Sequence, residues 1–389
     1  HMTFVSMFML TFGAINWGYI YPAVFLFVAL FRQRLLGKEI CFNFLYSPSF
    51  WFLLLAGISY ALIGMRTIVG VYHHGILPVI AFAIGWIIAE GSSDKQIQDG
   101  ILALTVGFGV YATLNMLVNV GNSRYRLIDF WTGKYRAATG SGALNTMTIS
   151  VMPYILKFEK RVAVKFLFFA LFLATIQYMF MLGTRTQFAI LLLIAIFAVL
   201  QFAYRKQGIT GILKCIVIVA VIILIAFLFY HFDILSIRSF ILSTNLAARY
   251  EHRASLENAD SFRVKSFWAG LRELFQYPLG GRRGRVYRHN MWLDVGRVSG
   301  IIPFSLLLAY SIKNIANAIS IWNNKNILLS LRYLLLFLYI GAYVNCFVEP
   351  VWEGTLNFFL ALCVVDGMVS AMIRRADNEP YTGESISIA

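Results

Sequence analysis

The residues of this chain best suited to chemistry gather in one polar stretch. It reads Ser261-Phe-Arg-Val-Lys-Ser-Phe-Trp-Ala-Gly-Leu-Arg272, then Tyr277-Pro-Leu-Gly-Gly-Arg-Arg-Gly-Arg285, then Arg288-His289-Asn290, and after nine further residues Gly300-Ile-Ile-Pro303. Arginine at this density suits a diphosphate. Its planar fork donates in pairs to phosphate oxygens and keeps its proton. Several guanidinium groups converging on one pocket can hold such an anion and balance its charge as it departs, work done by a divalent metal in many soluble enzymes. His289 is the candidate acid-base group, because imidazole titrates near ambient pH and can accept the proton of an attacking hydroxyl. Arg285 and Arg288 beside it are expected to favour the neutral ring by repelling a second positive charge. Glu349 and Glu353 flank Pro350-Val-Trp352 and are the alternative base, or else pair with loop arginines. Asp294 and Arg297 stand three apart, the spacing of a structural pair on a helix.

Other chemistries find little support. No outer loop carries an Asp-x-Asp pair, and no His/Cys cluster has metal-ligand spacing, so neither a metal nor another cofactor is expected. Cys41, Cys215, Cys346 and Cys363 all fall in apolar runs and read as small core residues. The chain has no Gly-rich phosphate loop followed by Lys-Ser/Thr, which argues against an ATP-driven transporter. Nothing points to nucleic acid.

The elements that must position these residues are membrane spans. Of 389 residues 59% are hydrophobic and 13% charged, with a formal net charge of +15. Soluble domains carry about 25% charged residues. Apolar runs of roughly 20 residues can cross a bilayer, and the pattern predicts about eleven helices (ten to twelve) in an all-α membrane protein: 4–31, 40–64, 75–90, 98–120, 143–157, 162–182, 187–204, 212–231, 291–312, 327–348 and 354–373. Asn16-Trp17-Gly18 and Pro22 interrupt the first, and the fifth is short. Residues 1–231 therefore hold eight spans, 232–290 a long basic loop with short helices, 291–373 three spans, and 374–389 a tail. His1-Met2 reads as a tag remnant, and no cleavable signal peptide is expected.

Orientation follows from the short loops. Arg32, Arg34 and Lys38; Lys95; Lys157, Lys160 and Arg161; Arg205 and Lys206; Lys313 and Lys325; and Arg374 and Arg375 all fall on one side, expected to be the cytoplasm. The other side holds Arg66, the loop 121–142, the turn Gly183-Thr-Arg-Thr186, the loop 232–290 and the turn 349–353. Loop 232–290 carries ten Lys or Arg against five Asp or Glu, and loop 121–142 adds Arg124, Arg126, Lys134 and Arg136 against Asp129. A loop that merely needed soluble residues would not favour one sign.

Four segments, in order, resemble the O-antigen polymerase and O-antigen ligase superfamily, bacterial membrane glycosyltransferases of the GT-C type. They are Arg136-Ala-Ala-Thr-Gly-Ser-Gly142 with Asn145 opening a span, Gly183-Thr-Arg185 in a tight turn, Arg263 followed by Trp268 and Tyr277-Pro-Leu-Gly-Gly281, and His289-Asn290 before Gly300. The motifs cover residues 130–305 and the span pattern covers the chain. Pro303 stands where ligases often have Gly, Thr or Tyr, which favours the polymerase.

The resemblance implies an undecaprenyl-diphosphate-linked oligosaccharide as donor, chemistry at the periplasmic face of the inner membrane, and no nucleotide sugar. It implies that Arg185 and Arg263 hold the diphosphate and that His289 lies at the reacting centre; Arg136 and Arg288 are further candidates for the diphosphate, and Asn290, Glu349, Glu353 and Asn145 are candidate acceptor or orienting groups. The partners implied are an acceptor glycan lipid, membrane lipids and a chain-length regulator. A polymerase would extend another lipid-linked repeat, whereas a ligase would transfer the glycan to lipid A-core. A lipid-linked oligosaccharide flippase is the contrasting class. It should place charge in a cavity between two similar halves, and the halves of this chain show no such repeat.

Overall fold

The structure, a computed structural model, describes residues 2–12, 21–37, 42–121, 126–244, 247, 259–282, 284 and 287–378. In chain order the elements are α1 (Met2–Phe12), α2 (Tyr21–Leu35), α3 (Pro48–Met65), α4 (Ile68–Glu90), α5 (Asp94–Val118), β1 (Arg126–Ile128), β2 (Tyr135–Ala137), α6 (Ala138–Phe158), α7 (Val162–Leu182), α8 (Arg185–His231), α9 (Ile237–Leu242), α10 (Ala259–Gln276), α11 (Met291–Ser299), α12 (Ile301–Asn323), α13 (Leu329–Val348), α14 (Val351–Gly354) and α15 (Leu356–Asn378).

Among the described residues, eight helices are long and apolar enough to cross a membrane: α3, α4, α5, α7, the Arg185–Lys214 part of α8, α12, α13 and α15. The chain is a helical, multi-pass membrane protein. Several expected boundaries shift. The predicted span 4–31 is two helices of 11 and 15 residues, each below the roughly 20 needed to cross. Residues 13–20, between them, lie outside the described residues. The predicted short span 143–157 is the 21-residue α6. Its start includes Gly140 and Gly142, both poor helix formers. A Cβ on Gly142 would collide with Gln187 of α8. Two predicted spans, 187–204 and 212–231, are arms of α8 meeting at Gly208, whose φ of 60° and ψ of −144° break the helix. A Cβ on Gly211 would run into the carbonyl of Ala203, so the chain folds sharply there. The predicted span 291–312 is divided at Gly300 into α11 and α12.

Small residues set the helix spacing. A Cβ on Gly85 of α4 would strike the Val364 carbonyl of α15, and one on Gly367 would strike the Phe82 carbonyl, so the two backbones approach as only glycine permits. Gly341 of α13 meets Ser150 of α6 in the same way. Some polar groups inside the bundle pair across helices, as with Ser49 and Asn314 (3.0 Å) and Thr11 and the Leu104 carbonyl (2.7 Å).

The loops expected on one side do meet at one end of the bundle. There Arg161 reaches Asp99 (2.8 Å), Arg32 reaches Ser92 (2.9 Å), and Arg375 pairs with Asp94. The opposite end carries a hairpin that the all-α reading lacked. β1 and β2 pair antiparallel with Leu127 opposite Arg136. Asn119 clamps both the Ile128 carbonyl (2.7 Å) and its N–H (2.8 Å), and Asn115 accepts from the N–H of Phe130 (2.7 Å). Three-residue strands are too short to show an alternating apolar pattern.

Two tests follow from this packing. Burial pushes the Glu159 carboxyl up, but the side-chain and backbone N–H groups of Arg161 outweigh it and hold the group down at about 2. The depressed group contributes stability in full above its unfolded value near 4.5, and the contribution is lost as pH falls through about 2. Thermal unfolding of the parent and Glu159→Gln in detergent should therefore differ by a constant amount from pH 5 to 8, and the gap should narrow below about pH 4. Gly300 and Gly281 both have φ of 85°, but only at Gly300 would a Cβ also collide, with the carbonyl of Pro278. Gly281→Ala should cost about 1–3 kcal/mol of stability from backbone strain alone, and Gly300→Ala clearly more. Equal losses would show that the Pro278 contact does not matter.

Candidate functional site

At the hairpin end, segments far apart in sequence converge on His289. The convergence starts from a charge buried where water cannot reach it. The carboxylate of Asp294 on α11 is fully buried. Its Oδ1 accepts from the backbone N–H of Arg288 (2.7 Å) and its Oδ2 from that of Asn290 (3.3 Å). These bonds curl residues 288–290 into a tight turn. Asn290 closes the turn as the N-cap of α11, its Oδ1 accepting from the N–H of Leu293 (3.0 Å). Its Nδ2 donates to the Phe347 carbonyl at the end of α13 (3.0 Å). The turn holds His289 at φ of 55°, a left-handed conformation that is uncommon outside glycine and clusters at functional positions.

Arg297 compensates the buried charge. Its Nε reaches Asp294 (3.3 Å), one terminal nitrogen reaches Glu353 (3.0 Å) and the other donates to the Arg282 carbonyl (2.8 Å). Asp294 and Arg297 thus form the expected structural pair, extended to Glu353. The Pro278-Leu-Gly-Gly281 segment locks onto the same helix. Gly281 N–H donates to the Val298 carbonyl (2.9 Å) and Ile301 N–H to that of Pro278 (2.8 Å). Gly280 and Gly300 face each other where neither has room for a Cβ. Two motifs that look separate in the sequence are one joint in space.

Opposite His289 stands Glu349, buried at the end of α13. Its Oε2 lies 3.7 Å from His289 Nδ1, an ion-pair distance longer than a hydrogen bond. Its Oε1 accepts from Thr186 Oγ (2.6 Å) at the start of α8. Arg185, half-buried, is the residue immediately before Thr186. One turn deeper, Gln187 donates to Asn345 (3.4 Å). Asn145 is fully buried on α6 two turns into the helix, not at its opening. Neither end of its amide meets a protein partner among the described residues.

The arginines fare unevenly. Arg185 stands beside the Thr186–Glu349 bond. Arg288 is turned away and forked onto Glu273 of α10 (2.6 and 3.2 Å), so it serves as a structural ion pair that ties α10 to the His289 turn. The side chains of Arg136, Arg263 and Arg285 lie outside the described residues; the backbone puts Arg136 on β2, leading into α6, and Arg263 in the first turns of α10. The cationic surroundings expected for His289 are not what the described residues provide. Arg288 is engaged by Glu273, and the charged group facing the ring is the Glu349 carboxylate. Such a carboxylate favours the tautomer with Nδ1–H towards it and leaves Nε2 as the basic nitrogen.

Thr186, Gln187, Asn345 and Glu273 complete the site and were not singled out as site residues from sequence. The available signal was polarity out of place. Asn345 and Glu349 stand four apart at the end of an apolar run, and polar groups in such runs are costly unless they have work to do. No protein-family model matches the chain, and no curated protein matches it.

The geometry sets an expectation for Arg297→Met. Removing one member of a buried ionic cluster strands the others and costs roughly 3–5 kcal/mol. Unfolding in detergent should show that loss, while Arg272→Met, at an exposed position, stays near the parent. Equal stability of both variants would remove the cluster from the foundation of the site.

Proposed function

We propose that this protein is a membrane glycosyltransferase of the GT-C type acting on a glycan carried by undecaprenyl diphosphate, with the acceptor a sugar hydroxyl of another lipid-linked repeat. The observation that carries the reading is the convergence of the resembling segments. The helix opened by Arg136–Gly142, the Gly183–Arg185 turn, the Pro278–Gly281 turn and His289–Gly300 come from four regions of sequence, yet they meet at one end of the bundle around His289 and Glu349. In this reading that end faces the periplasm of a bacterial inner membrane and the C-terminus faces the cytoplasm.

The reaction assigns each group a task. The acceptor oxygen attacks the anomeric carbon and forms the new glycosidic bond. The bond from that carbon to the diphosphate oxygen breaks, and undecaprenyl diphosphate leaves with the electron pair. The hydroxyl proton passes to His289 Nε2, while Glu349 steadies the resulting imidazolium through Nδ1–H. Arg185, with Arg263 and Arg136, balances the charge growing on the leaving diphosphate, the electrostatic contribution that weighs most in such reactions. Asn290 fixes the turn that presents His289. Asn145 supplies amide groups at the α6–α8 junction for orienting the glycan. No metal enters this scheme. Transfer to lipid A-core would use the same donor chemistry, and Pro303 argues for the polymerase form.

Purified protein with lipid-linked substrate tests the assignments. Arg185→Ala and Arg263→Ala should abolish transfer with folding intact, and lysine should rescue poorly because it lacks the fork. His289→Ala should lose roughly 10²–10⁴-fold in turnover yet keep donor binding. Activity should survive excess EDTA. Near-normal transfer in both arginine variants would sink the diphosphate site, and an absolute need for added Mg²⁺ would put a metal where arginine is assigned.

A further inference from the structure

An apolar groove of about 560 Å³ runs between α12 and α13, bounded by Trp292, Ile315, Ala318, Ile319, Trp322 and the facing residues from Leu336 to Phe347 of α13. Its position is tied to the site by one hydrogen bond and by the chain itself. Phe347, at one end, gives its carbonyl to Asn290, the neighbour of His289. Trp292, two residues beyond Asn290, is the other wall at that end. The opposite end is closed by Trp322 and Leu336. Leu336 and Phe347 are eleven residues apart on α13, so the groove is about 16 Å long at 1.5 Å per residue.

The aromatic residues are arranged so that the groove stays apolar. Trp292 turns its indole N–H to Ser311 (3.0 Å), and Tyr339 turns its hydroxyl to Asp366 (2.6 Å), away from the groove. What faces the groove is ring surface and aliphatic side chain. A sugar or a headgroup would find no partner there, and its desolvation would go uncompensated. A long hydrocarbon chain loses nothing and gains contact along its whole length.

We propose that this groove seats the hydrocarbon chain of the lipid-linked donor, with its diphosphate at the His289 end. The proposal rests on the donor reading above and adds where the lipid lies. The groove begins at the turn that positions His289, so a chain lying in it brings its head group to Arg185 and Glu349 without leaving the hydrocarbon layer. Held at the chain, the reacting carbon has fewer ways to miss His289, and binding energy remote from the reaction then serves positioning.

Photolabelling tests this. The purified full chain, in nanodiscs of ordinary phospholipid, is irradiated with a polyprenyl diphosphate bearing a diazirine in its chain, and labelled residues are read by mass spectrometry. Labels are expected on α12 around Ile315–Ile319 and on α13 around Ile340–Phe347. Ala318→Trp and Val344→Trp, which fill the groove from either wall, should each cut labelling about tenfold or more. Both should keep the parent's affinity for a short-chain diphosphate, which also shows that they are folded. Excess polyprenyl phosphate should displace the label, and excess phospholipid should not. Labels spread over other lipid-facing helices, labelling undiminished by both fillings, or equal displacement by phospholipid would overturn the proposal. Glycan transfer is scored separately: groove labelling without transfer rejects the reaction and keeps the groove, whereas transfer without groove labelling does the reverse.

Discussion

The buried guanidinium of Arg297 is the interaction on which the rest of the site depends. One side chain joins Asp294 on its own helix, Glu353 on α14 and the Arg282 carbonyl of the Gly-rich turn. Without it, two carboxylates would stand in a poorly solvated interior, a state that proteins relieve by neutralising or unfolding. With it, Asp294 is free to accept the backbone N–H groups of Arg288 and Asn290 and so to hold His289 in its left-handed turn. Several of the charges near the site are thereby explained as scaffold. Among the described residues, Arg288 pairs with Glu273, and Arg297 with Asp294 and Glu353, while His289 faces Glu349.

The two ends of the bundle use charge differently. At the Arg161 end, pairs such as Arg161 with Asp99 and Arg375 with Asp94 join separate segments and are partly exposed. Ion pairs of this exposure contribute little each, and they fix loops more than they stabilise a fold. At the His289 end the polar groups are buried and shared among three or more elements. Glu349 is held by Thr186 from a helix 163 residues away in sequence, and Asn290 is held by Phe347. A site built from helix ends and short turns, each fixed by bonds to another element, is the arrangement that keeps reacting groups in register.

Much of this was legible in the sequence, and the parts that were not have physical reasons. The apolar runs marked most spans, since only a helix satisfies its own backbone in lipid. The runs misplaced boundaries where tertiary contact overrides local preference. Gly140 and Gly142 read as a loop before a short span, yet both are helical, and at Gly142 a Cβ would collide with Gln187 and Thr184. Gly300 divided one predicted span in two because its positive φ lets the Pro278 turn dock there. The Asp294–Arg297 pair followed from spacing alone. Its third member, Glu353, fits either a catalytic or a pairing role by sequence, because spacing says nothing about residues 56 apart. By sequence Arg288 groups with the candidate phosphate-binding arginines, since Glu273 lies fifteen residues upstream and no local pattern joins them. The loop 121–142 shows basic residues but not the hairpin, which is anchored by Asn115 on the preceding helix and by Asn119 at that helix's C-cap.

The central claim is that His289 and Glu349 act as one unit at the reacting centre. A double-mutant cycle on turnover tests it most directly, using His289→Ala, Glu349→Gln and the pair, with purified protein and lipid-linked donor. If Glu349 acts through the imidazole, the double variant should be no slower than His289→Ala alone. If the two losses multiply, each residue works independently, and the relay from Glu349 to His289 is contradicted.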